Sequence, residues 1–125
     1  MNNQEFKQSV SGAIDKLEKQ GKVSVRFTEN GNDGCFYYDE KNNTCCIVGM
    51  MMPNNDVRKE ADDNEFGSGI IYMYKYGSIE WAQQFTLQQV NFLAKLQRLH
   101  DAFELGDSFS DLISSMRKEL ETYDQ

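Results

Sequence analysis

The side chains best suited to covalent chemistry are one histidine, His100, and three cysteines, Cys35, Cys45 and Cys46. A nucleophilic site would pair a thiol of lowered pKa with the imidazole as its base. The three thiols lie far from His100 in sequence, so their spacing predicts no such pair. Because free cysteines usually pack as small hydrophobic residues, we expect reduced structural thiols, no catalytic residue and no enzyme.

Motifs for metal or phosphate-loop chemistry are missing from the sequence. It contains no CxxC or HxxxH pair and no GxGxxG, GxxxxGK[ST], GxSxG or HExxH motif. The carboxylates between residues 56 and 65 lack the spacing of a calcium-binding loop and are typical of a solvated face. We therefore expect neither a metal nor a resident cofactor.

Aromatic rings and a few isolated arginines favour noncovalent binding of a planar anion. Aromatic residues make up 12% of the chain. Such rings stack on flat ligands, and the forked guanidinium of arginine matches phosphate oxygens. Trp81 lies in a polar stretch and suits a contact surface as well as a core position. Phe85 is either a stacking ring or part of the core.

The composition indicates one acidic globular domain over residues 1–125. Lys and Arg total 13 against 20 Asp and Glu, giving a formal net charge of −7. This charge argues against general attraction to DNA or to anionic membranes. No apolar run reaches the ~18 residues of a membrane span, and the sequence does not begin like a secretory signal. We expect a cytoplasmic protein.

Hydrophobic periodicity predicts an α+β fold, with a small antiparallel sheet packed with an N-terminal helix and a C-terminal helical hairpin. The first helix spans residues 3–20, and the hairpin helices follow the caps Thr86 and Ser108, the earlier one ending near Gly106. Residues 54–69 are predicted to be a polar surface excursion. Strands or short sheet elements are predicted at residues 23–28, 35–38, 45–48 and 70–76, with a turn at 31–34.

Two blocks of the sequence resemble a pattern of small phage and prophage proteins. The first, Cys35-Phe36-Tyr37-Tyr38 followed by Cys45-Cys46-Ile47-Val48-Gly49-Met50-Met51-Met52-Pro53-Asn54, resembles C-x-Y-R and C-A-I-G-x-x-I-P-D. The second, Leu96-Gln97-Arg98-Leu99-His100-Asp101, resembles a helical L-Q-x-x-H-D. Tyr38 stands where the pattern has Arg, and Asn54 where it has Asp. The chain is thus similar to the phage anti-Thoeris proteins of the Thoeris anti-defence 1 type.

This resemblance implies a nucleotide sponge that serves immune evasion. Thoeris defence makes a cyclic isomer of ADP-ribose from NAD, and an anti-Thoeris sponge sequesters that signal in the host cytosol without cleaving it. Some relatives also hold cyclic oligonucleotides. The resemblance therefore implies a homo-oligomer, either a dimer or a hexamer, with a cyclic ADP-ribose isomer as its main ligand.

The resemblance also implies an aromatic residue and, ten positions later, an Asn in the ligand pocket, which Trp81 and Asn91 match. We expect Trp81 to stack on adenine and Asn91 to bond the base or a ribose hydroxyl. Phe85 is a further candidate contact. The candidates for pairing with the diphosphate are Arg98, Arg58 and Arg26.

Two other functions remain open at this point. The chain is alternatively a small acidic phage protein that inhibits a host enzyme by direct protein binding. It is also conceivable as a phosphodiesterase that degrades the signal. His100 and Asp101 either belong to a site or form a packing feature at a helix end.

Overall fold

The chain is built mostly from helices. A computed structural model describes residues 1–29, 31–63 and 69–123, without the side chains of residues 26–28 and 31–34. Its elements in order are α1 (Asn3–Gln20), β1 (Val25–Thr28), β2 (Gly31–Cys35), α2 (Ile47–Met51), α3 (Asn55–Asp62), α4 (Ile70–Tyr76), a 3₁₀ helix (Glu80–Gln84), α5 (Leu87–Asp101) and α6 (Phe109–Thr122). The α+β prediction is wrong, because helix dominates and the strands form one two-stranded hairpin in place of the expected sheet.

Three helices begin at caps that the sequence indicates. The Asn2 side chain accepts the Glu5 backbone N–H at 2.8 Å at the start of α1. Thr86 and Gln89 form a reciprocal capping box before α5, and Ser108 caps α6. The predicted helix over residues 3–20 and the two predicted helix starts are therefore confirmed. α5 ends at Asp101, earlier than the predicted end near Gly106.

The two strands pair antiparallel, with a register shift between Val25 and Phe27. Cys35 lies opposite Val25, and Gly31 lies opposite Thr28. The first predicted strand, over residues 23–28, is therefore present in part. Residues 31–34, predicted as a turn, instead belong to β2.

Of the predicted strand over residues 35–38, only Cys35 belongs to a strand, as the last residue of β2. At Tyr37 and Tyr38 a carboxylate takes the place of a neighbouring strand. The backbone N–H groups of Tyr37 and Tyr38 donate to the two carboxylate oxygens of Asp62 at 2.8 and 3.0 Å. Residues 45–48 are also not a strand. Cys46 caps α2, and its Sγ accepts the Gly49 N–H at 3.4 Å.

Two further segments are helices where the sequence predicts none. In the predicted polar excursion, Asn54 accepts the Val57 N–H at 2.9 Å and starts α3. Residues 64–68 of that segment lie outside the described residues. Residues 70–76, predicted as a strand, form α4 because Ile70 and Met73 are buried at helical spacing. A left-handed Gly77, with φ of +64°, ends this helix.

The core gathers around α1, which packs against α2 and α6. Phe6 of α1 is fully buried, and its ring lies 5.9 Å from that of Phe85 and 5.2 Å from that of Tyr123. α5 crosses the same core and contacts α2, α4 and α6. Across the described ranges, we find no helix with both the length and the apolarity that a bilayer crossing requires.

Candidate functional site

His100 is fully buried near the end of α5, and its imidazole holds a backbone segment in place. Its Nε2 accepts the backbone N–H of Ser24 at 3.1 Å, and its Nδ1 lies 3.1 Å from Oδ1 of Asp101. An Nε2 atom that accepts carries no proton, so this hydrogen-bond pattern assigns the ring N–H to Nδ1. The lone pair that a general base would use is therefore already bound to the main chain.

Gln97, one turn before His100 on α5, connects the same network to α2 and β2. Its Nε2 donates to Oδ1 of Asp101 at 2.8 Å and lies 3.2 Å from Sγ of Cys35. Its Oε1 accepts the N–H of Val48 at 3.3 Å. These bonds satisfy buried polar groups on three elements, which is the role expected of an internal structural amide.

The environments of two thiols do not favour nucleophilic chemistry. Burial raises the pKa of Cys46 well above its ordinary value, and hydrogen bonding to Cys35 adds to that rise. Burial also raises the pKa of Cys45, against an opposing influence of the Arg58 charge. A reactive cysteine needs the opposite shift, because the thiolate is the nucleophile.

Arg58, a predicted diphosphate contact, is instead committed to the junction of α2 and α3. Its Nε donates to the Gly49 carbonyl at 2.6 Å, and its terminal nitrogens donate to the Met52 carbonyl at 3.0 Å and the Asn55 side chain at 2.7 Å. Most of its donors are used by these three bonds. Asp62 lies nearby, and burial raises the pKa of its carboxyl against the lowering effect of the bonds from Tyr38 and Tyr37.

The structure brings together two of the predicted contacts, Trp81 and Phe85. Trp81 is half-buried on the 3₁₀ helix, and its ring meets that of Phe85 edge to face, with centroids 5.0 Å apart. Phe85 itself is buried and packs on Phe6. Only Trp81 of this pair therefore presents a surface to a ligand.

Asn91 and Arg98 are exposed on one face of α5. Seven residues correspond to about two helical turns, so the two side chains lie ~10 Å apart along the axis. Lys95 lies between them and pairs with Glu119 of α6 at 2.7 Å. Arg26, the third predicted arginine, belongs to β1, but its side chain lies outside the described residues.

A cleft that the sequence does not predict lies between the end of α1, the start of β1 and the α5–α6 connection. Its volume is about 320 Å³. Its rings are Phe103 and Phe109, half-buried and nearly perpendicular, with centroids 6.5 Å apart. We call it the Phe103 cleft, and its other main lining residues are Lys22, Val25, Asp39 and Asn42.

The polar wall of the Phe103 cleft is a tight turn. Asp39 and Thr44 exchange backbone hydrogen bonds of 2.8 and 3.2 Å. The Asp39 carboxylate accepts the backbone N–H of Lys41 at 3.1 Å and the Asn42 side chain at 2.8 Å. Asn43 completes the turn with a φ of +53°, a conformation that Asn tolerates better than most residues. The two rings thus adjoin a polar wall that carries the Asp39 carboxylate, and Lys22 also lines the cleft. This lining suits a ring that carries polar substituents.

The described side chains include no cluster of three or more His, Cys, Asp or Glu residues able to hold a metal ion. Phe103 and Phe109 carry no motif that would have identified them from sequence. The only local signal is that both flank the connection containing Gly106.

No protein-family model, no curated protein and no solved structure gives a significant match to this chain.

Proposed function

We propose that this protein binds and sequesters a cyclic ADP-ribose-type immune signal, and possesses no activity that cleaves it. The proposal includes a role in suppressing antiphage defence in the bacterial host cytoplasm, with cyclic oligonucleotides as further candidate ligands. The observation that carries it is the Phe103 cleft, whose two perpendicular rings and adjacent Lys22 suit a purine with a phosphate beside it. The block resemblance to anti-Thoeris sponges supports the same ligand class.

The environment of His100 supports retention of an intact ligand. Its Nε2 lone pair accepts the Ser24 N–H, and burial disfavours the thiolates of Cys45 and Cys46. These groups contribute hydrogen bonds and packing to the fold. A protein that only sequesters needs affinity without a nucleophile or a base.

The size of the Phe103 cleft limits how the ligand would sit. Small-molecule pockets span about 300–1,000 Å³, so 320 Å³ is at the lower end of that range. The cleft would take the base and an attached ribose, leaving the diphosphate at its rim beside Lys22. Effective sequestration of a scarce signal needs a nanomolar Kd, about −12 kcal/mol, so part of the ligand must also be covered elsewhere.

Calorimetric titration with a cyclic ADP-ribose isomer tests the function and the location together. We expect nanomolar binding to the unmodified protein. Phe103→Ala should weaken it by ~5- to 150-fold, because stacking on one aromatic ring is worth ~1–3 kcal/mol. Lys22→Ala should weaken it in a salt-dependent way.

The matched control is Trp81→Ala combined with Asn91→Ala, at the location that the resemblance implies. Unchanged affinity in this double variant, with loss in Phe103→Ala, supports the cleft. The reverse result moves the ligand to Trp81 and leaves the function intact. Heat-denatured complex must release the ligand unaltered on chromatography, and absence of binding or a cleaved product contradicts the proposed function.

We further propose that α4 mediates self-association. Its Ile71 and Tyr76 side chains are 40% and 62% exposed, and the Tyr72 and Tyr76 rings lie 4.5 Å apart. Exposed apolar groups clustered on one helix are typical of an interaction surface. Ile71 lies about 140° around the helix axis from Tyr76, so a second copy that covers both side chains would give the dimer or hexamer that the resemblance implies.

Sedimentation analysis checks this assembly. We expect the unmodified protein to sediment as a dimer or hexamer and Ile71→Glu to sediment as a monomer, because the new charge would be desolvated in the interface. Leu105→Glu, at an exposed apolar residue outside α4, should leave the assembly unchanged. A monomer for the unmodified chain would instead favour α4 as a surface for a host protein, the competing inhibitor function.

A further inference from the structure

Two of the three thiols are in contact at the junction of β2 and α2. Cys35 ends β2 and is half-buried, whereas Cys46 caps α2 and is fully buried. Their side chains are within hydrogen-bonding contact. The Cys46 N–H donates to the Phe36 carbonyl at 3.2 Å, which fixes the two backbones side by side.

The surroundings give the two sulfurs different roles. The Gln97 amide nitrogen lies 3.2 Å from Sγ of Cys35, and Cys35 is the more exposed of the two thiols. Cys46 is fully buried, and its Sγ accepts the Gly49 N–H at 3.4 Å. Oxidation of cysteine follows exposure and thiolate character, so Cys35 meets a dissolved oxidant first and Cys46 lies behind it.

We propose that Cys35 and Cys46 form an oxidant-modified dithiol site, closing an intramolecular disulfide on reaction with a small peroxide. In the first step, the Cys35 thiolate attacks one peroxide oxygen and the O–O bond breaks, giving a sulfenic acid and, after protonation, water. In the second step, the Cys46 sulfur attacks the Cys35 sulfur. The S–S bond forms, the S–O bond breaks, and the Cys46 proton leaves with the hydroxyl group as a second water. Two thiols are oxidised and one hydrogen peroxide is reduced.

The disulfide would close a loop of ten intervening residues. That loop contains the tight turn from Asp39 to Thr44, which forms the polar wall of the Phe103 cleft. Oxidation would therefore place a covalent link across the segment that forms this wall of the cleft. This inference does not depend on which ligand the cleft takes.

Cys45 provides an internal control for the reaction. It adjoins Cys46 in sequence, but its backbone bonds to the Gln20 side chain, and the charges that act on its thiol are those of Arg58 and Asp62. A nonspecific oxidation would involve Cys45 as readily as its neighbour. The proposed reaction leaves it as a free thiol.

The experiment treats the full chain with hydrogen peroxide and counts thiols after denaturation. We expect the count to fall from three to one, with an intact mass lower by two hydrogens. Tryptic digestion should join the peptide spanning residues 27–41 to the one spanning residues 42–58, and fragmentation should place the bond at Cys46. Cys45→Ser should retain the bond, while Cys35→Ser should abolish it.

Several results would overturn the proposal. They are an unchanged count of three thiols, a bond to Cys45, a cross-link between chains, and sulfinic acid at Cys35 as the main product. Cys35→Ser replaces a half-buried thiol, so a folded variant is expected and circular dichroism verifies it. If this folded variant still loses two thiols to an intramolecular bond at the same rate as the unmodified chain, Cys35 is not the residue that the peroxide oxidises first.

Discussion

Replacing Gly49 by alanine should lower the free energy of unfolding by at least about 2–3 kcal/mol. Gly49 is buried in α2, and a Cβ added there would lie 2.2 Å from the carbonyl oxygen of Tyr37 and 3.0 Å from its carbonyl carbon. These are backbone atoms, and no flexible side chain can move aside to make room. α2 would have to move away from residues 35–38, which outweighs the ~1 kcal/mol that alanine gains in helix propensity.

Gly12 of α1 supplies the matched control. A Cβ added there meets nothing within 4 Å. Gly12→Ala should therefore raise the free energy of unfolding by about 0.5–1 kcal/mol through helix propensity alone. Urea denaturation measures the free energy of unfolding of both variants, provided that its dependence on urea concentration has the same slope in each. Equal shifts for Gly12→Ala and Gly49→Ala would mean that α2 does not lie against Tyr37.

The contact between Gly49 and Tyr37 illustrates why part of this fold could not be predicted from the sequence. The helix starts at Asn2, Thr86 and Ser108 could be predicted, because each cap acts on a residue three positions later. Residues 35–38 look like a strand by composition. The N–H groups of Tyr37 and Tyr38 donate instead to Asp62, more than twenty residues away, and no local sequence pattern indicates that partner.

The sequence predicts a strand in place of helix α4 for a different reason. Its Ile and Tyr residues favour a strand by propensity, and only the burial of Ile70 and Met73 distinguishes the helical period. Seven residues are too few to separate the two periods by sequence alone. The position of α4 on α5 decides its structure, which is a tertiary contribution.

Some features of the candidate site can likewise be predicted from the sequence, and others depend on tertiary contacts. The polar neighbours of Trp81 suit either a contact surface or a core position, and in the structure its ring is half-buried. The residue type of Arg58 suggests a phosphate contact, but three acceptors within nine residues of it in sequence take most of its donors. Phe103 and Phe109 meet only because the connection between α5 and α6 turns back at Gly106, whose φ is +96°.

Replacing His100 by alanine should cost about 3–5 kcal/mol of unfolding free energy, the second large effect expected here. The substitution leaves a cavity at a fully buried position and removes the acceptor of the Ser24 N–H. That donor would then be unsatisfied inside the protein. Thermal or urea unfolding measures the loss, and Arg98→Ala, an exposed residue of the same helix, should stay within about 0.5 kcal/mol of the unmodified protein.

His100→Gln separates a structural role from a catalytic one. The Gln side chain places an oxygen near the position of Nε2, so it can still accept the Ser24 N–H, and we expect it to recover about half of the loss seen with alanine. Ligand affinity of the folded Gln variant should match that of the unmodified protein, because the imidazole faces the backbone of Ser24. A different result would identify the imidazole as a base. In that case His100→Gln would be as stable as the unmodified protein and would release its nucleotide intact, whereas the unmodified protein would cleave the same nucleotide. Conversely, if the free energy of unfolding falls in steps from His100 to the Gln variant to the Ala variant, the role of this position is to accept the Ser24 N–H.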